Sequence, residues 1–147
     1  SAASDVYKRQ VLIVDDSLLN RVLLREYLLF RSYSVDVAAG GQECLDLVAT
    51  NTYDCVILDI QMPEVDGIMV LQKIRSSESE VCRSMPIIAL TALAYARDRD
   101  MCMNAGASLY LAKPVPLADL VLEIEKLIGQ GKLETGGEAC PACLIKP

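Results

Sequence analysis

Apolar residues follow two alternating rhythms along the chain. Val11-Leu12-Ile13-Val14, Cys55-Val56-Ile57-Leu58 and Ile87-Ile88-Ala89-Leu90 are short uninterrupted apolar runs. Rich in β-branched residues and ended abruptly by polar ones, they predict strands buried on both faces. Ser34 to Ala38 and Leu109 to Ala112 predict two further strands. Between the strands, apolar residues recur at helical spacing. Ser17 to Arg31 carries Leu18, Val22, Leu24 and Leu28 in that rhythm, with Asp16 or Ser17 able to cap it. Gln42 to Ala49, Ile68 to Arg75, a segment closing at Ala105 before Gly106, and Leu117 to Ile128 predict the other helices. Ser76 to Ser84 reads as a polar connection.

Five strands alternating with five helices imply an α/β fold, a parallel sheet covered on both faces by right-handed crossovers. The domain is expected over 11–128. Residues 1–10 show no pattern and are expected to be an N-terminal extension or gene-boundary remnant. The Gly-, Lys- and Glu-rich residues 129–147 are expected to be a flexible tail.

In such sheets, ligands bind beyond the carboxyl ends of the strands, at the switch in strand order. There the first strand ends in Asp15-Asp16, the third in Asp59, the fourth in Thr91 and the fifth in Lys113. This suits the order 2-1-3-4-5. Carboxylates ~4 Å apart repel by about 4 kcal/mol per pair at an effective dielectric near 20. One lysine cannot offset three such pairs, whereas a divalent cation can. Hard oxygen donors with open positions suit Mg²⁺. A carboxylate can also attack phosphorus as a covalent nucleophile. Asp59 stands alone at its strand end and is the candidate; Asp15 and Asp16 are better used on the metal. A phosphoryl group there would be clamped between metal and Lys113.

Composition narrows the chemistry further. The 147 residues are 52% hydrophobic, which argues against disorder. No apolar run reaches membrane-span length and the N-terminus lacks signal-peptide order, so a cytoplasmic protein is expected. A net charge of −6 opposes a nucleic-acid footprint. There is no histidine, which excludes a Ser-His-Asp triad, a Cys-His pair, imidazole metal ligands and a phosphohistidine donor within this chain. Cys44, Cys55, Cys82 and Cys102 lie in apolar or amphipathic segments and read as reduced thiols. Cys140-Pro-Ala-Cys143 lies in the tail and reads as an adventitious disulfide rather than a redox centre or zinc site.

Four motifs occur in order at five-strand spacing: Val-Asp-Asp at 14–16, Leu-Asp-Ile-Gln-Met-Pro-Glu-Val-Asp-Gly at 58–67, Leu-Thr-Ala at 90–92 and Tyr-Leu-Ala-Lys-Pro at 110–114. Together they resemble the receiver domains of response regulators and hybrid histidine kinases, the CheY-like family, over roughly Val11 to Ile128. Asn20-Arg21 and the stretch 98–106 look most like receivers of hybrid kinases. The resemblance implies a flavodoxin-like, doubly wound (βα)5 fold. It implies Asp59 as phosphoacceptor, Asp16 as a direct Mg²⁺ ligand, Asp15 acting through a metal-bound water, and the Gln61 backbone carbonyl as a further ligand. Lys113 would contact the phosphoryl group and Thr91 would hydrogen-bond it. Tyr110 would be the aromatic switch, and the Lys113–Pro114 bond would be cis.

The same resemblance implies a histidine kinase or histidine phosphotransfer protein as phosphoryl donor. The chain would catalyse its own phosphorylation and dephosphorylation without turning over external substrates. Its readout face would be the fourth helix, fifth strand and fifth helix, around Ala94, Tyr110 and Leu117, offered to an effector domain or a second copy. No nucleic-acid or membrane contact is implied for this domain. Ser108 and Leu93 depart from the family's commoner residues, and Leu93 and Gln61 flank the path of hydrolytic water. Rival chemistries fit less well. An aspartyl phosphatase of the haloacid dehalogenase type wants Asp-X-Asp and a cap, and a flavodoxin wants a phosphate-cradling first loop.

Overall fold

A computed structural model describes residues 8–62, 66–92 and 95–136. The apolar runs form the strands β1 (Gln10–Val14), β2 (Ser34–Ala38), β3 (Cys55–Asp59), β4 (Ile87–Thr91) and β5 (Leu109–Ala112). They make one five-stranded sheet in the order β2-β1-β3-β4-β5, parallel at every pairing. The register pairs Val14 with Leu58, Asp59 with Leu90 and Thr91 with Ala112. The polar residues that end the strands are thereby brought to one edge.

Successive strand residues point to opposite faces. Leu12, Val14, Val56, Leu58, Ile87 and Ala89 share one core cluster. Helices α2 (Gly41–Thr50), α3 (Gly67–Arg75) and α4 (Ala96–Ala105) bring Cys44, Val70, Leu71, Ile74 and Cys102 to it. Val11, Ile13, Cys55, Ile57 and Ile88 point the other way and are equally buried. Helix α1 (Leu18–Phe30) packs on that side, with Leu24 and Leu28 buried. At about 1.5–3 kcal/mol per fully buried aliphatic side chain, both faces contribute heavily to stability.

Ser17 caps α1, its side chain accepting from the Asn20 N–H. Just past the C-cap, Ser32 adopts φ 72°, the left-handed region that favours glycine. Ser32→Gly is therefore expected to stabilise the fold by about 0.5–1 kcal/mol, the relief of strain outweighing the freer unfolded chain. Thermal denaturation reads this as a rise in Tm; a fall contradicts it.

Two elements differ from the sequence reading. Within 76–84, Glu80–Arg83 forms a single helical turn capped by Ser79, whose side chain accepts from the Cys82 N–H. One turn is too short to carry an apolar period. The last helix, α5 (Leu117–Gly136), belongs to a separate compact unit beginning at Pro116. Its buried residues Leu120, Val121, Ile124 and Ile128 follow a helical stripe. It continues past Ile128, where a loose tail was expected. A glycine costs a helix only about 1 kcal/mol against alanine, and Gln130, Lys132, Leu133 and Glu134 all favour helix.

Cys44, Cys55, Cys82 and Cys102 are free thiols. Burial pushes Cys44 and Cys55 up to about 12, so both are inert at neutral pH. Cys140 and Cys143 lie outside the described residues. No helix among the described residues is long and apolar enough to cross a membrane.

Candidate functional site

The carboxyl edge of the sheet gathers the residues singled out by the motifs. Asp15 continues β1, its N–H donating to the Ala38 carbonyl at 3.1 Å, and is only 2% exposed. Three donors from the start of α1 fix it. The Ser17 N–H meets Oδ1 at 2.9 Å, Asn20 Nδ2 meets Oδ2 at 3.3 Å, and Arg21 Nη1 meets the backbone carbonyl at 2.8 Å. Asp16 is exposed. Asp59 closes β3, 3% exposed, with Oδ1 accepting from the Gln61 N–H at 3.0 Å. Asp15, Asp16 and Asp59 each offer an oxygen within 4.8 Å of the others.

Lys113 reaches into this cluster from the end of β5. Its Nζ lies 3.3 Å from Asp59 Oδ2 and 3.8 Å from Asp15 Oδ2. The Lys113–Pro114 bond is cis, and the Lys113 N–H donates to the Thr91 carbonyl at 2.7 Å. Thr91 ends β4 and is buried. Tyr110 is half-buried on β5, against the core cluster. Burial, then the nearby Asp98, pushes its phenol up.

Burial is also the main force on Asp59, raising its carboxyl above the usual range, and Asp15 adds to this. The Gln61 N–H and Lys113 oppose the rise without cancelling it. Among the described residues, the three carboxylates thus face one cation in contact with their oxygens, Lys113, while Arg21 is engaged on the Asp15 backbone carbonyl. An all-oxygen donor set with that imbalance fits a divalent cation.

Some contacts had no counterpart in the strand-end reading. The Gln61 side chain crosses to the residue just after β4, Oε1 accepting from the Ala92 N–H at 2.9 Å. Asn20 and Arg21 sit in the first turn of α1, where their spacing from Asp15 was the available signal. Gly67 opens α3 against the backbone of Ile60, to whose carbonyl its N–H donates at 3.2 Å. Farther off, Arg75 donates to the carbonyls of Gly106 at 2.7 Å and Arg83 at 2.8 Å, and to Ser108 Oγ at 3.3 Å. Ser108 Oγ also accepts from the Ile87 N–H, so this departure from the family pattern ties β4 to β5. Pro63, Leu93 and Ala94 lie outside the described residues, and Leu117 opens the separate C-terminal unit.

Comparison with known proteins gives a consistent picture. A family model, the response regulator receiver domain, matches residues 11–125. Response regulator MprA of Mycobacterium sp. (strain KMS) is 37% identical over 130 residues, covering 88% of this chain and 55% of MprA. The chain thus spans about half the length of the curated relatives it matches. A CheY-like receiver domain protein from Methanospirillum hungatei superposes with a TM-score of 0.80 at 27% identity, covering 87% of this chain and 99% of that one. The receiver domain of a sensor histidine kinase from Pseudomonas aeruginosa gives 0.76 at 33% identity, over 84% and 99%. That structure has a magnesium ion coordinated in its active-site cleft. With the family model spanning most of the chain and the sheet order in agreement, this chain belongs to the response regulator receiver domain family of two-component systems.

Proposed function

We propose that Asp59 accepts a phosphoryl group from a phosphohistidine on a histidine kinase or histidine phosphotransfer protein. The observation that carries this reading is the convergence of three carboxylates within 4.8 Å, with Lys113 touching two of them. Asp15, Asp16, Asp59 and the Gln61 carbonyl are the groups that would hold Mg²⁺. Once bound, the cation would supply charge neutralisation for the carboxylates and for the oxygens of the incoming phosphoryl group.

An Asp59 carboxylate oxygen attacks phosphorus in line. The P–N bond to the donor imidazole breaks, and its electron pair stays on the ring nitrogen. The Gln61 N–H fixes the carboxylate through Oδ1. Lys113, already at Oδ2, follows the charge onto the transferred group. The chain thus catalyses its own modification, once per acceptor, and its reversal by water.

The product adds about −1.5 to −2 of charge. Turning a 1:99 equilibrium to 99:1 needs about 5.5 kcal/mol of differential binding. One charge-assisted hydrogen bond, from Thr91, gives about 1.5–3 kcal/mol. Thr91 therefore shares the switch with Lys113, and the cation, once bound, would supply the remainder by neutralising the added charge. Tyr110 turns inward behind Thr91 and alters the surface of α4 and β5, offered to an effector domain or a second copy.

Acetyl phosphate or beryllofluoride should form an adduct in Mg²⁺ and none in EDTA, read by mass spectrometry. Mg²⁺ at a hundred times its Kd should stabilise the domain by about 2.7 kcal/mol. An adduct formed equally fast in EDTA would overturn the metal's role.

A further inference from the structure

We propose that the Gln61 side chain is a resting-state latch over Asp59, occupying a hydrogen-bond donor that the phosphoryl group must take. The proposal rests on the phosphoacceptor reading above. Gln61 is tied at both ends. Its N–H donates to Asp59 Oδ1 at 3.0 Å, and its Oε1 accepts from the Ala92 N–H at 2.9 Å. Ala92 directly follows Thr91 at the end of β4, and β4 pairs with β3 so that Asp59 faces Leu90. The side chain therefore bridges the two strand ends between which a group on Asp59 has to sit.

A backbone N–H aimed at such a gap is a ready donor for an oxyanion. At rest it is held by a neutral amide oxygen of the chain itself. A phosphoryl oxygen bears more charge and makes the stronger hydrogen bond, so it displaces Gln61. Gln61 is exposed, and its freed amide is satisfied by water. Acceptance thus exchanges one hydrogen bond for another instead of adding one. The latch raises the threshold for acceptance, and its release uncouples the loop after Asp59 from the end of β4.

Two substitutions test this. Gln61→Met keeps length and removes the acceptor; Gln61→Asn keeps the amide but falls one methylene short. In metal-free protein, the Ala92 amide resonance should shift upfield and exchange faster in both. At saturating Mg²⁺, both variants should bind beryllofluoride about two- to tenfold more tightly than the wild type. Unchanged or weaker binding by the Met variant overturns the latch, and the Asn variant is read the same way should the Met variant not fold. If the wild type takes up no beryllofluoride at all, the phosphoacceptor reading fails instead, while the Ala92 resonance still reports whether the contact exists.

Discussion

Asp59→Asn is expected to lose Mg²⁺-dependent labelling by acetyl phosphate about a hundredfold or more, yet to melt at a higher temperature than the wild type in EDTA. The first effect is removal of a nucleophile for which no neighbour substitutes, and such losses are large. Asp15 is pinned by three donors and Asp16 is exposed at a different strand end. The second effect follows from the raised Asp59 carboxyl. Its folded value lies above its unfolded one, so ionisation is harder in the folded state. The folded protein binds more protons across the interval, and stability falls as pH rises from the ordinary carboxyl value through the folded one. Asparagine does not ionise and escapes this loss. The Tm advantage of the variant should therefore be absent in acid, grow from about pH 4 upward and then level off. Scanning calorimetry across this range decides it: a variant less stable than the wild type at neutral pH would mean that Lys113 outweighs burial.

The second large effect is steric. A Cβ at Gly67 would stand 2.6 Å from Ile60 Cα and 2.8 Å from the Ile60 carbonyl oxygen. Both are backbone atoms, and Ile60 is held on its other side, its N–H donating to the Leu90 carbonyl at 2.9 Å. Nothing flexible is available to yield. Gly67→Ala should cost about 3 kcal/mol, at the upper end of ordinary overpacking. Because Ile60 adjoins Asp59, Mg²⁺ affinity should fall with it. Gly40→Ala is the control: nothing lies within 4 Å of its Cβ, and its cost should stay within about 1 kcal/mol. Urea denaturation of both variants, with equal losses, would discount the Ile60 contact.

The sheet and the membership of its acidic edge were legible because both are written locally. An apolar run that stops at an acid announces a buried strand and the chemical group at its end together, as at Val14-Asp15 and Leu58-Asp59. The parallel order then follows from the crossovers and the switch point. Contacts made by long side chains across the fold carry no such mark. Gln61 and Ala92 are 31 residues apart, and Arg75 reaches Ser108 over 33. Nothing in either residue's neighbours selects the other. The turn at Glu80–Arg83 and the length of α5 were hidden for a different reason. Both depend on capping and propensity terms of about 1 kcal/mol, too small to read against a polar or glycine-containing background.

The clamp made by Arg75 also bears on how far a signal can travel. Its guanidinium holds the Gly106 carbonyl, at the C-terminal end of α4, while the other end of α4 follows Thr91 in the chain. A rod held at one end resists sliding more than pivoting. With ten residues at about 1.5 Å each, the lever is roughly 15 Å long. A rotation of about 5° then carries its free end, near the exposed Tyr95, through more than about 1 Å. Arg75 stands where a fulcrum would, at the end of α4 opposite the one that follows Thr91.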